Sequence, residues 1–493
     1  MMKQFSYLCM GAGLGLLAAC SSGTQEVPGA ASTPTATSSA SAAPHADAAA
    51  TANPGTLPAT MAMLTRSIAF QSATGHGDQT IAYAHYLADA LESAGFAKSD
   101  IEIIPIDGID KSAALVLQWK GSSDAKPILI NAHMDVVAAD PDRWAHPPFE
   151  LAKEGDYLYG RGVADMKNEV VVVVQTLMRL KKEGFTPKRG LILMLTGDEE
   201  TDFASARTLA PKYKDVEYVL DAEGGGGAFS PDLKPELYRI GAAEKLNVDY
   251  LLTADGPGGH SSAPLKNNPI YTVARALAKI EQYQFPVKSN EITLASFKGL
   301  GAHMQGPLGD AMQRFAANQN DAKAIATLSD DPGFVGQLRT TCVGTTIEGG
   351  HALNAIPKQA QADVNCRVWP GVSPDTVRDM LAKVINDPNV KITIQDPQPV
   401  VSQASPIMPK LFETIGATIH ERFPGLDIVP AQSSGASDNQ FFRNEGLPAY
   451  GVSPFFSKPG DGHAHGIDEK ILASEFQPAL DFWYSLTKKL TDQ

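Results

Sequence analysis

Pro127-Ile-Leu-Ile-Asn-Ala-His133-Met-Asp135 is an apolar run that stops on a histidine and a carboxylate. The same device recurs in Leu191-Ile-Leu-Met-Leu-Thr-Gly-Asp-Glu199-Glu200 and in Tyr218-Val-Leu-Asp-Ala-Glu223. Continuous apolar runs of this length suit strands covered on both faces, as in the parallel sheet of an α/β protein. In such sheets ligands collect in the crevice beyond the carboxyl ends of the strands. The three runs therefore deliver His133, Asp135, Glu199, Glu200 and Glu223 to one edge of one sheet. Imidazole and carboxylate together at such an edge suit a metal ion.

Strands and helices alternate around these runs. Residues 56 to about 100 carry Leu64, Ile68, Tyr83, Leu87 and Leu91 at helical spacing, and strand candidates follow at 101–104, 114–118 and 128–132. Residues 169–184 read as a long helix although Val170–Val174 is β-prone, because the stretch ends in basic residues and Gly184. This alternation predicts an α/β catalytic domain built on a mostly parallel sheet. The pattern changes near Leu246. Segments 247–253, 341–347 and 360–368 alternate apolar and polar, as half-exposed antiparallel strands do, with a helical stretch at 268–282 between them.

The expected organisation is a catalytic domain in two parts, residues 56–243 and 372–493, with a smaller α+β lid domain inserted at 244–371. The returning part holds helices at 374–386 and 407–422 and closing strands near 426–430 and 448–453. Residues 289–340 lengthen the insert beyond its simplest form. Gly224–Gly227 lacks the lysine and hydroxyl residue of a phosphate loop and reads as a turn that keeps the third strand end open.

Net charge is −14, from 41 basic and 55 acidic side chains without a basic patch, which argues against a nucleic-acid partner. The first residues carry Lys3, an apolar stretch from Tyr7 to Leu17, and then Leu17-Ala-Ala-Cys20. That order describes a secretory signal over residues 1–19. Its ending resembles the bacterial lipoprotein signal, which implies a lipid on Cys20; an ordinary signal with an incidental cysteine is the alternative. Ser21 at the next position leans towards outer-membrane sorting by the same resemblance. Residues 20–55 are almost entirely Ala, Ser, Thr, Pro and Gly, a flexible tether with no core of its own. The expectation is an exported protein facing the periplasm of a Gram-negative bacterium, with only its lipid in the membrane.

Cys342 and Cys366 flank Glu348-Gly-Gly-His-Ala-Leu-Asn354, a plausible connection between two strands. A disulfide and two separate buried thiols both fit.

Two further segments bring chemistry. Tyr157-Leu-Tyr-Gly-Arg-Gly-Val-Ala-Asp165 places a carboxylate in a glycine-rich turn before a helix, and Asp461-Gly-His463-Ala-His465-Gly-Ile-Asp-Glu469 supplies histidines near the C-terminus. Together, and in this order from about residue 57 to 490, the segments resemble the M20 family of metallopeptidases, co-catalytic zinc exopeptidases and amidohydrolases. The resemblance implies two Zn²⁺ ions, with Co²⁺ or Mn²⁺ as substitutes. It assigns His133 and Glu223 to one metal, Glu200 and His465 to the other, and Asp165 to both. Asp221 and His463 are the near misses. Glu199 is then the general base that takes a proton from water and passes it to the departing amine, and Asp135 orients the His133 imidazole.

Gly258-Gly-His260-Ser-Ser-Ala-Pro264 is similar to the family's lid motif, whose histidine steadies the oxyanion, often in the site of a dimer mate. A plain loop histidine is the alternative. Asn354 and Arg367 match positions used for substrate contact, where an arginine fork suits a free carboxylate; for Arg367 a structural salt bridge remains open. Gly435-Ala-Ser-Asp438 resembles a segment lining the substrate pocket. Asp165 departs from the commoner pattern, being followed by Met-Lys-Asn rather than Asp-Lys-Gly. The implied activity is hydrolysis of short peptides, carboxypeptidase-like, or of N-acyl-amino acids; an aminopeptidase or dipeptidase would use the same residues. The implied partner is a second copy, joined through the inserted domain. A non-catalytic periplasmic binding protein is the rival class, and it predicts loss of a ligand or of Glu199. All are present.

Overall fold

The computed structural model describes residues 53–106, 108–109, 111–395 and 400–492. The signal, Cys20 and most of the tether lie outside them.

Along the chain the large sheet receives β1 (Ile101–Pro105), β2 (Ala113–Trp119), β3 (Ile128–His133), β4 (Leu191–Thr196), β5 (Val219–Asp221), β6 (Gly226–Phe229) and β7 (Pro235–Glu244). A second sheet takes β8 (Leu246–Asp255), β9 (Thr341–Gly349), β10 (Gln359–Val368) and β11 (Val390–Ile394). The chain then returns to the first with β12 (Ile428–Ser433), β13 (Ala449–Gly451) and β14 (Phe456–Ser457). The large sheet runs β1-β2-β4-β3-β5-β13-β7-β6-β14, with β12 beside β7. Its centre is parallel: β3 pairs with β4 from Ile128↔Leu191 to His133↔Thr196, and with β5 on its other side. Every residue of β3, β4 and β5 is buried, which is why their sequences are unbroken apolar runs rather than alternating ones.

The helix Lys167–Lys182 explains how a valine run becomes helical. Val170–Val174 are all buried, so they face protein around the helix, and Arg179, Lys181 and Lys182 close its last turn. It packs between the sheet and the helices Leu57–Ala69 and Phe476–Thr491. Tertiary burial here overrides the local β preference of valine.

The second sheet is antiparallel throughout, in the order β9-β10-β8-β11. One face of β8 and β10 is buried under the helices Pro269–Gln282 and Pro374–Ile385, and the other is polar. The strand β11 and the helix Pro374–Ile385 therefore belong to this smaller layer, which extends to Ile394 rather than stopping at 371. Burial of Val377, Leu381 and Ile385 against β8 and β10 decides this.

Residues 289–340 also depart from expectation. The helix Glu291–His303 packs on β12 and β7, so this segment covers the edge of the large sheet instead of enlarging the smaller one. Gly299 permits the contact: a Cβ there would lie 2.6 Å from the Val429 side chain. The helices Pro307–Ala317 and Ala322–Ser329 close a small core over it around Phe297, Met312, Phe315 and Leu328. Gly226 and Gly227 begin β6, and of the four glycines Gly224, at φ +76°, and Gly226, at φ +116°, have left-handed backbone.

Cys342 and Cys366 face one another across β9 and β10 and are joined as a disulfide. No helix among the described residues is long and apolar enough to cross a membrane.

Candidate active site

Because β3, β4 and β5 are parallel neighbours, their carboxyl ends open on one edge. His133 is the last residue of β3 and is buried. Its Nδ1 lies 3.1 Å from the backbone carbonyl of Asp135, against 3.6 Å to the Asp135 Oδ1. The carbonyl is therefore the closer partner, and donation to it leaves Nε2 as the free ligand atom. That Nε2 is 3.1 Å from Asp165 Oδ1.

The Asp135 carboxylate, besides standing within ion-pair reach of the His133 imidazole, holds the turn that follows β4. Its Oδ1 accepts the backbone N–H of Glu199 at 3.1 Å and its Oδ2 that of Glu200 at 3.0 Å. The turn after β4 is held from its other side by Asp198, whose carboxylate accepts the N–H groups of Ala204 at 2.7 Å and Ser205 at 3.0 Å. Both glutamates are thus fixed by their backbone. The Glu199 carboxylate accepts no hydrogen bond among the described residues.

Asp165 stands between the two imidazoles. Its Oδ1 faces His133, and its Oδ2 lies 3.2 Å from His465 Nε2. His465 Nε2 is also 2.9 Å from Glu200 Oε2. Two groups of donor atoms, His133 with Glu199 and Glu200, and Asp165 with Glu200 and His465, each lie within 4.8 Å of one another. Glu223 follows β5 and is half-buried; it joins neither close group, though its charge acts on Glu199. His463 also stays outside them, and Asp221 turns to the polar layer behind the site.

Four carboxylates therefore converge with only two imidazoles. Burial opposes the charged form of His133, but Asp135, Asp165 and Glu199 outweigh it and hold its pKa well above the usual value. Hydrogen bonds that its ring donates to the Asp165 and Glu200 carboxylates raise the His465 pKa to about 10. Burial and then the neighbouring carboxylates push Glu199 and Glu223 well above the carboxylate range. An excess of buried anionic oxygens with imidazole nitrogens among them is the donor chemistry of a divalent metal centre. The residues fit such an ion.

Two supports went unread in the sequence. Glu469, completely buried, accepts the N–H groups of Gly162 at 3.1 Å, Ala164 at 2.7 Å and Asp165 at 3.0 Å, and pairs with Arg161 at 2.7 Å. It fixes the turn that presents Asp165. Behind the strand ends, Asp438 accepts from Thr196 Oγ1 at 2.6 Å and Asn131 Nδ2 at 3.1 Å, while Asn439 donates to Asp221 at 2.8 Å. Asp438 is buried and braces the strand ends, while Gly435, at the start of the same segment, is exposed. The only sequence signal for either was the Gly-Ile-Asp-Glu469 ending and the polar Gly435-Ala-Ser-Asp438.

The remaining residues stand elsewhere. His260 is exposed, in the two-residue strand Gly259–His260 paired with Ala355–Ile356, and its Nδ1 lies 2.7 Å from Ser262 Oγ. Asn354 accepts the Ser261 N–H through its backbone carbonyl at 2.9 Å, so the two motifs share one exposed tip. Arg367 is half-buried on β10, with Asp249 and Lys245 as its electrostatic neighbours. None of the three touches the metal-type donors.

Comparison with known proteins agrees with this geometry. The family model described as peptidase family M20/M25/M40 matches residues 129–489. A probable carboxypeptidase S-like 2 of Dictyostelium discoideum is 31% identical over 392 residues, covering 76% of this chain and 74% of the relative. An N-fatty-acyl-amino acid synthase/hydrolase of Homo sapiens is 27% identical over 435 residues, covering 83% and 82%. Among solved structures, an M20 family metallo-carboxypeptidase of Sulfolobus solfataricus superposes with a TM-score of 0.67 at 18% identity, covering 87% of this chain and 98% of that one. The chain belongs to peptidase family M20/M25/M40, as a hydrolase of amide bonds.

Proposed function

We propose that this chain is an exported di-zinc exopeptidase that removes C-terminal residues from short peptides. The observation that carries the reading is Asp165, one oxygen towards each imidazole, together with a Glu199 carboxylate that no hydrogen bond occupies among the described residues. His133, Asp165 and Glu223 would hold one Zn²⁺ and Asp165, Glu200 and His465 the other, which when bound supply an acidified water and a Lewis acid at the scissile carbonyl. Co²⁺ or Mn²⁺ suit the same donors. Glu199 takes the proton of the attacking water and delivers it to the amine that leaves. Asp135 keeps Glu199 and Glu200 in register by their backbones, and Glu469 does the same for Asp165.

His260 and Asn354 complete the site from a lid, and the oxyanion is theirs to steady. Their exposed position in this chain favours supply from a second copy. The exposed Val343, Ile347 and Leu353 on and beside the edge strand β9, and Tyr271 on the adjoining helix, give that copy an apolar surface. The Leu17-Ala-Ala-Cys20 ending supports a lipid anchor, and the Cys342–Cys366 disulfide suits an oxidising compartment.

Hydrolysis of N-acyl-amino acids is the second reading, favoured by the name of the human relative. The metal-loaded protein should be assayed on dipeptides with blocked and with free amino groups, and on N-acyl-amino acids. Cleavage confined to free-amine substrates would sink the carboxypeptidase proposal.

A further inference from the structure

A pocket of about 220 Å³ opens among the three loops that carry Asp165, Glu223 and His465. Ala164 and Met166, on either side of Asp165, border it, as do Glu223 itself and Ala464, which precedes His465. The turns that present the metal-type donors therefore also shape this pocket. Met166 tightens the link, because its Sδ accepts the His133 N–H at 3.4 Å. The exposed Gly224 and Ala464 leave the mouth open; a Cβ at Gly224 would meet nothing nearer than 3.9 Å. Met166, Phe455, Phe456 and Ile471 are buried and give the interior apolar walls.

Two buried polar side chains share those walls, and their situations differ. Glu169 is committed: its carboxyl takes hydrogen bonds from Ser453 Oγ and from Trp483 Nε1 at 3.2 Å. Asn168 is only 2% exposed, and its Oδ1 has no hydrogen-bond partner among the described residues. The charges that border the pocket near Ile471 have partners of their own. Asp461 accepts from the Tyr157 hydroxyl at 3.2 Å and lies 4.0 Å from the Lys470 ammonium. A buried amide oxygen left unpaired is costly unless a ligand or water meets it. Residue 168 is also where this chain departs from the commoner Asp-Lys-Gly pattern, so the amide stands where that pattern has no side chain.

An apolar recess with one placed polar atom selects its occupant by that atom. A dry cavity of about 150 Å³ already accepts a benzene ring, so this pocket has room for a phenol. We infer that the pocket receives the side chain on the acyl side of the scissile amide, and that Asn168 there selects tyrosine over phenylalanine. The tyrosine ring packs on Met166, Phe455 and Phe456, and its hydroxyl donates to Asn168 Oδ1. Both side chains are neutral, so the charge of the two metal ions acts on them alike and does not enter the choice. The inference rests on the reading of the chain as a carboxypeptidase, which puts the penultimate residue on the acyl side. Asn168 is then a specificity residue for that position.

The test uses the full mature chain loaded with Zn²⁺ and two substrates, acetyl-tyrosyl-alanine and acetyl-phenylalanyl-alanine. Wild type should favour the tyrosine substrate in kcat/KM by roughly 5- to 50-fold, the range for pairing a buried acceptor against leaving it unpaired. N168L keeps the branched shape and removes both polar atoms, and it should bring that ratio to about one or below. N168A removes the same atoms and serves if N168L does not fold. A wild-type ratio near one means that water meets Asn168 and overturns the inference, as does a tyrosine preference that survives in the variants. Calorimetric binding of acetyl-tyrosine against acetyl-phenylalanine separates this inference from the carboxypeptidase reading. Tighter binding of acetyl-tyrosine that depends on Asn168 supports the pocket even if neither dipeptide is cleaved, whereas equal binding in wild type refutes it whatever the activity.

Discussion

The Asp135 carboxylate holds Glu199 by its backbone N–H, at 3.1 Å, and not by its side chain. With the second bond to Glu200, one carboxylate sets the position of both the base and a metal-type ligand. An asparagine in its place has only one oxygen and must turn an amide N–H₂ towards one of these N–H groups. D135N is expected to lower kcat by about 10- to 100-fold, the range for residues that orient metal ligands, while the melting temperature moves little. Steady-state kinetics alongside thermal melts checks this; unchanged kcat would mean that the turn holds itself.

Glu199 and Glu200 are neighbours with separable duties. His465 lies 2.9 Å from the Glu200 carboxylate, whereas that of Glu199 accepts no hydrogen bond among the described residues. E199Q should therefore keep its bound metal and lose roughly 10²- to 10⁴-fold in kcat, the usual contribution of a general base. E200Q and H465A should lose metal. Metal content by mass spectrometry beside kcat decides between these outcomes, and metal loss from E199Q would make it a ligand instead.

How far the sequence reaches is clear from particular residues. His133, Asp135, Glu199 and Glu200 lie at the ends of buried parallel strands, so an apolar run that stops on a polar residue announces them. The arrival of His465 beside Asp165 and Glu200 could be read only through resemblance, because nothing local predicts which distant loop folds back. The same is true of the supports. Glu469 reaches the Asp165 N–H across 304 positions and Asp438 reaches Thr196 across 242. Such bonds leave no period or spacing in the chain. The extent of the smaller layer is hidden for a related reason: helical periodicity shows that 374–385 is a helix with one apolar face, but not which sheet that face covers.

The disulfide joins the edge strand β9 to β10 across a sequence separation of 24. Closing a loop of that size restricts the unfolded chain and is worth about 3 kcal/mol in the chain-entropy account. The double variant C342A/C366A should unfold at lower guanidinium concentration, with an unfolding free energy smaller by about that amount, and reductant should shift wild type but not the variant. Coincident unfolding curves for oxidised and reduced wild type would contradict the expectation.

Glu169 lies buried in the helix Lys167–Lys182, where its carboxyl accepts hydrogen bonds from Ser453 Oγ and from Trp483 Nε1 at 3.2 Å. Burial raises its pKa to about 8, against the pull of those two bonds. In the unfolded chain the group ionises near 4.5. Between these values the folded protein binds one more proton than the unfolded chain, so this group makes stability fall as pH rises through that window. The fall should reach a few kcal/mol by pH 8. E169Q removes the titration and keeps the shape, because its oxygen can face Trp483 while the Ser453 hydroxyl rotates to accept from the amide. The variant should match or trail wild type at pH 4.5 and gain on it steadily towards pH 8. Denaturant melts at closely spaced pH values measure the gap, and a gap that stays constant from pH 4.5 to 8 would show that Glu169 is ionised in the folded protein.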